Sequence, residues 1–161
     1  MQRPFIAINQ VVPAEWIDLN GHMNATHYGL VAYEAHYRFT EALGLGEAYV
    51  NETQFGKAVL ESHMVYEREV SLGDELVVYS WLLAVDHKRL HFFHEIYNQT
   101  QSVRAATAEQ VDIHIDLKQR RSSPFPEIVA EKLQRVVKQT LALKIPLGVG
   151  SKIRPPQNHW L

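Results

Sequence analysis

The run Asp18-Leu19-Asn20-Gly21-His22-Met23-Asn24-Ala25-Thr26-His27-Tyr28 gathers side chains that could do chemistry together. A carboxylate stands at the end of an apolar segment, a glycine turn follows, and Asn24 is suited to cap a helix opening at Ala25. An acid beside a helix N-terminus lies next to backbone N–H groups that can hold developing negative charge. That pairing suits acyl transfer, with Asp18 as general base or nucleophile and the amides of Asn24 and Ala25 receiving a carbonyl oxygen. The plainer reading is an Asp that shapes a turn or caps the helix. Asn24 already supplies a cap, which shifts the balance toward chemistry.

Other residues offer weaker cases. His22 is expected to hydrogen-bond within the turn or to line the pocket. Nine histidines invite a metal site, but His91 and His94 stand an odd number apart on one strand and so point to opposite faces. His22 and His27 also lack helical i, i+4 spacing, and no metal is expected. Glu61 and His63 share a strand face: Glu61 is a second candidate acid if that face meets the helix start, and otherwise the two are a solvated pair. Trp16 and Tyr28 are core residues by default, yet beside the acid they could wall an acyl pocket. Aromatic faces with a nearby Glu would also suit a cationic group. The cluster Lys118, Arg120 and Arg121 and the pair Lys88 and Arg89 flank turns; they are solvated charge or a rim that meets phosphates.

The elements that must position these residues follow from periodicity. Phe5 to Asp18 reads as an irregular strand ending at the acid. Ala25 to Leu43 reads as one helix, with Tyr28, Val31, Ala32, Ala35, Phe39 and Leu43 at helical spacing and Gly44 and Gly46 as the stop. Lys57–Val70, Glu75–Val85, Arg89–Asn98 and Val103–Leu117 read as strands joined by polar turns, which predicts an antiparallel meander. In the last strand Val111, Ile113, Ile115 and Leu117 occupy one face while Asp112, His114 and Asp116 occupy the other. Glu127 to Leu143 reads as a second, amphipathic helix. The predicted class is α+β: an antiparallel five-stranded sheet wrapped around a long helix, with a C-terminal helix. Residues 1–143 form the expected domain and 144–161 an irregular C-terminal tail.

Composition narrows the functions. The chain has 161 residues, 46% hydrophobic and 21% charged, ordinary values for one globular domain. A net charge of -2 gives no reason to expect nucleic acid or an anionic membrane as partner. The absence of cysteine removes disulfides, thiolate catalysis and Cys-based zinc. With no stretch read as a signal peptide or bilayer span, a cytoplasmic location is the default expectation.

The same motif resembles the Asp-x-x-Gly-His-Met/Val-Asn-x-x-x-Tyr/Phe signature of hotdog-fold acyl-CoA thioesterases, the 4-hydroxybenzoyl-CoA thioesterase-like group. Glu69 to Leu76 resembles that family's turn between its second and third strands, Arg89 to Tyr97 its fourth strand, and Val103 to Asp116 its last. The wording Asp-Leu-Asn-Gly-His-Met-Asn is also similar to betainyl-CoA thioesterases of carnitine breakdown. The resemblance implies a hotdog domain that hydrolyses a short acyl-CoA thioester, with Asp18 as the catalytic carboxylate and the Ala25 amide as oxyanion donor. It further implies no metal or bound cofactor, and CoA lying across the interface of a homodimer or homotetramer. Ala25 departs from the His or Tyr that many members carry there, so only a backbone role survives at that position. An enoyl-CoA hydratase or dehydratase on the same fold, and a non-catalytic acyl-CoA binding module, are the alternatives.

Overall fold

The structure, a computed structural model, describes residues 4–150 and 156–160. Strand β1 (Phe5–Val11) leads through a short 3-10 turn (Ala14–Trp16) to helix α1 (Ala25–Leu43). Asn24 caps α1, its side chain accepting the Thr26 N–H, and Gly44 ends it in the left-handed conformation at φ 81°. A second short helix follows, α2 (Glu47–Thr53), which the two glycines had concealed in the sequence. The Glu41 carboxylate reaches back from α1 to accept the Glu47 N–H at 2.6 Å, so α2 starts on a cap donated by its neighbour.

Strands β2 (Phe55–Tyr66), β3 (Glu75–Val85), β4 (Arg89–Asn98) and β5 (Val103–Asp116) come next, then a two-residue strand β6 (Arg121–Ser122) and helix α3 (Glu127–Leu141). The spatial order is β1-β3-β4-β5-β2, all antiparallel, with β6 paired to β5. The expected four-strand meander is therefore corrected to three strands. The Ser71–Asp74 turn forms, its Asp74 carboxylate accepting the Ser71 N–H at 2.9 Å, but it does not join paired neighbours. β2 crosses to the far edge and pairs with β5, because alternation along a strand fixes which face is buried but not which strand lies beside it. The first strand is also shorter than expected, stopping at Val11, so Asp18 sits in a loop rather than at a strand end.

Helix α1 lies on the inner face of the sheet. Tyr28, Val31, Ala32 and Ala35 pack on Ile8, Val78, Ile96 and Ala106, and each large apolar side chain fully buried there contributes about 1.5–3 kcal/mol. Phe39 and Leu43 continue into a second cluster with Leu82, Leu90 and Phe92, which Leu133 and Val137 of α3 close over. The opposite sheet face carries Trp81, Leu83 and Phe93, and Leu143, Ile145 and Val149 of the C-terminal segment cover them. A long helix cradled by a curled antiparallel sheet is the layout expected from the order of elements, and it is the hotdog arrangement that the family resemblance implies.

The alternation in β5 holds, with an unexpected sense: the polar set faces inward. Asp112 is fully buried and accepts from His36 of α1 (2.9 Å), Gln110 (2.6 Å) and Lys57 (3.0 Å). Burial alone would raise its carboxyl, but the hydrogen bond and charge of His36, with Lys57, leave it below the ordinary value. His36 Nδ1 meets His94 Nε2 at 3.3 Å, and His94 Nδ1 meets Ser80 Oγ at 2.7 Å, so the chain of contacts continues to β3. Burial holds His94 at about 3, neutral at ordinary pH.

Candidate active site

The loop before α1 is built to present one carboxylate. Ile17 and Met23 bridge, the Asp18 N–H donates to the His22 carbonyl at 3.1 Å, and the Gly21 N–H donates to the Asp18 carbonyl at 3.0 Å. Gly21 takes φ 81°, which closes the loop at little steric cost. The Met23 N–H donates to the Val70 carbonyl at 2.8 Å, fastening the loop to the segment that follows β2.

Within that loop Asp18 Oδ1 accepts the Asn20 N–H at 2.8 Å and Oδ2 accepts Asn24 Nδ2 at 3.3 Å. The cap on α1 sets this geometry. Because Asn24 Oδ1 is taken by the Thr26 N–H at 2.9 Å, the NH2 of the amide must face the carboxylate. Two donors leave an ionised carboxylate with acceptor capacity to spare, and that capacity opens into a cleft of about 330 Å³.

The same cleft is lined by Ala25, and the Ala25 N–H carries no hydrogen bond among the described residues. The Asn24 N–H is different: it donates to the Trp16 carbonyl at 2.8 Å. The expectation that both amides receive a substrate oxygen is therefore corrected to one. Asn24 instead orients Asp18.

The remaining expected residues divide. Tyr28 lines the cleft, stands edge-on to Tyr66 at 5.4 Å, and donates its hydroxyl to the Arg68 carbonyl at 3.1 Å. Burial, with Glu69 nearby, pushes its phenol above the ordinary value. His22 also lines the cleft and contacts Glu69 at 3.1 Å. Trp16 stacks on His27 at 5.1 Å and lines a neighbouring groove with Leu30 and Tyr33 rather than the Asp18 cleft.

Glu61 and His63 lie on β2 and do not line the cleft of their own chain. Arg89 is engaged by Asp86 at 2.7 Å, closing the β3–β4 turn, and Lys88 Nζ donates to Ser122 Oγ at 3.2 Å. Arg120 and Arg121 line another groove at the far end of β5. From Ala106, opposite Tyr66, to Asp116, opposite Arg121, β5 extends roughly 30 Å. A single chain thus keeps these cations away from Asp18.

Sequence reasoning missed the opposite wall, formed by Tyr66, Glu67, Arg68 and Glu69. Three charged residues in succession at the end of a strand were the available signal. Among the described residues no group of three His, Asp or Glu side chains is arranged to hold a metal ion.

The thioesterase-like superfamily model matches residues 12–133, three quarters of the chain and all of this site. The chain belongs to that superfamily. Within it, this thioesterase-like chain is 32% identical over 142 residues to the betainyl-CoA thioesterase of Pseudomonas aeruginosa, covering 88% of this chain and 89% of that one. It is 31% identical over 148 residues to the L-carnitine dehydrogenase/betainyl-CoA thioesterase of a Rhizobium species, covering 92% of this chain. It spans only 30% of that relative's length. A hypothetical protein of Staphylococcus aureus, solved in complex with CoA, superposes with a TM-score of 0.83 at 29% identity, covering 97% and 99% of the two chains.

Proposed function

We propose that this chain hydrolyses an acyl-CoA thioester, with Asp18 as the carboxylate that acts on it. The observation that carries the reading is the sharing of one cleft by Asp18, held by two donors and otherwise open, and by the uncommitted Ala25 N–H. In the reaction the thioester oxygen accepts from Ala25 at the positive end of α1, where charge on the tetrahedral intermediate is stabilised. Asp18 either takes a proton from the attacking water or attacks the carbonyl itself. CoA then leaves as the thiol, taking up the proton drawn from water; where Asp18 itself is acylated, water hydrolyses the resulting mixed anhydride and restores the carboxylate. His22 and Tyr28 shape the cleft, and Asn24 keeps the carboxylate aimed.

The acyl group proposed is betainyl. Its trimethylammonium suits the faces of Tyr28 and Tyr66 and the outlying Glu69 carboxylate, and the relatives named above point the same way. The active form is proposed to be a homodimer joined along β2. That strand is a sheet edge with Val59 and Leu60 exposed. Antiparallel pairing of two such edges sets the Tyr66 end of one against the Phe55 end of the other. Arg120 and Arg121 then approach the partner's Asp18 cleft, where phosphates of CoA would lie, and Glu61 and His63 fall near the two-fold axis.

Thiol release from a panel of acyl-CoA substrates, cationic to long aliphatic, tests the reading. Betainyl-CoA should turn over fastest, and Asp18→Asn should be slower by on the order of 100-fold or more. Full activity in Asp18→Asn ends the mechanism. Tight acyl-CoA binding without release of thiol in the parent protein ends the enzyme reading altogether.

A further inference from the structure

Arg104, near the start of β5, is tied to three parts of the molecule. Its Nε and Nη2 donate to the two oxygens of Glu67 at 2.9 and 2.7 Å, a fork-to-fork pairing. Its Nη1 donates to Glu95 Oε1 at 3.1 Å and to the Leu147 carbonyl at 2.9 Å. Glu67, and then Glu95, hold the guanidinium well above its ordinary value, so it is a permanent charge. Glu95 is itself fixed, its other oxygen accepting Trp81 Nε1 at 3.0 Å.

Each arm of this centre leads somewhere distinct. Glu67 belongs to the wall of the Asp18 cleft. The N–H groups of Glu67 and Arg68 both donate to the Ala105 carbonyl, while the carbonyls of Arg68 and Val70 accept from Tyr28 and Met23. Leu147 belongs to the C-terminal segment lying on the outer sheet face. That segment is anchored a second time where the Gly150 N–H donates to Glu109 Oε1 at 2.7 Å, a carboxylate buried against His91. The irregular segment and the cleft wall therefore share one guanidinium.

We propose that the C-terminal segment braces the substrate cleft through Arg104, a positioning residue that holds the Tyr66–Glu69 wall, with Val70 just beyond it, against Tyr28 and Met23. Asp18 is held by Asn20 and Asn24, within its own loop. Loosening the brace therefore alters how substrate is received more than how the carboxylate acts. The kinetic side of this inference rests on the proposed thioesterase activity; the mechanical side does not.

The test uses full-length Arg104→Lys, Gly150→Pro and the double variant. Lysine keeps the charge but has three donors for the four hydrogen bonds made here, and no planar fork to match the two oxygens of Glu67. Proline at 150 loses the N–H to Glu109 and cannot adopt the observed φ of 71°. Hydrogen exchange of the peptide over residues 62–72 is read first. It should quicken at Glu67 and Arg68 in Arg104→Lys and, to a lesser degree, in Gly150→Pro, although position 150 touches no wall residue. KM for the acyl-CoA should rise about tenfold in Arg104→Lys and about threefold in Gly150→Pro, with kcat changed less than about threefold. The double variant should be no worse than Arg104→Lys alone, since both act through one centre. Unchanged wall exchange in Gly150→Pro overturns the brace whatever the activity. Fully multiplicative KM effects overturn it too, by making the two sites independent. A parent protein that releases no thiol sinks the thioesterase reading while the exchange result still decides the brace.

Discussion

Asp18 and Asp112 are the same functional group in opposite circumstances. Asp112 lies fully buried on the inner sheet face, with His36, Lys57 and Gln110 filling its acceptor sites. Asp18 is half-buried, takes one short and one long hydrogen bond from neutral donors, and faces a cleft. Reactivity is kept where acceptor capacity is left over. A carboxylate whose two oxygens are both engaged by buried donors, one of them a lysine, is architecture, and one left under-coordinated beside an open amide can act on something else.

Neutralising the buried carboxylate should cost the most. Asp112→Asn leaves Lys57 facing a neutral amide in a partly buried setting, and chemical denaturation should register a loss of about 3–5 kcal/mol. Turnover per folded molecule should stay within about threefold of the parent. A stability loss no larger than that of an ordinary surface substitution would contradict the contrast. Asp18→Asn is the mirror image: turnover falls on the order of 100-fold, about 2.7 kcal/mol, with an unchanged melting temperature.

Acid strikes the buried interior first. His94, His91 and His114 are all held below their ordinary values, burial being the leading cause in each. As pH falls through about 6.5 the unfolded chain gains protons that the native state refuses, so stability is complete above that value and declines toward about 3. Between pH 7 and 5, His94 alone should remove about 2 kcal/mol, and His94→Gln should flatten the melting profile over that interval. The smallest effect separates the two duties of Asn24. Asn24→Ser keeps a cap and should lower only turnover, roughly threefold to tenfold. Asn24→Ala should show the same kinetic loss and also lose about 1 kcal/mol of stability.

Much of this was legible in the chain, for identifiable reasons. Helix α1 begins and ends where Asn24 and Gly44 said it would, because cap chemistry is local. β3 and β4 match residue for residue, since turn residues bracket regular alternation. The crossing of β2 to the far edge was not legible, because partner choice depends on distant strands. Nor was α2, whose cap is a side chain from the preceding helix. In the site, Asp18, Asn24 and Ala25 stand out as a contiguous motif. The Tyr66–Glu69 wall comes from a remote segment brought near by Tyr28 and Met23, and spacing cannot announce that. The commitment of the Asn24 N–H to Trp16 was equally invisible, since it needs the 3-10 turn to curl the Trp16 carbonyl back.

The polar contacts running from Lys57 through Asp112, His36 and His94 to Ser80 have an evolutionary corollary. Each member's polar atom is engaged by the next, so no position can drift to an aliphatic residue alone without stranding its neighbour. Among homologues, residues at 36, 57, 80, 94 and 112 should vary as a block, with whole lineages exchanging the set for an oily interior and few sequences caught half-way.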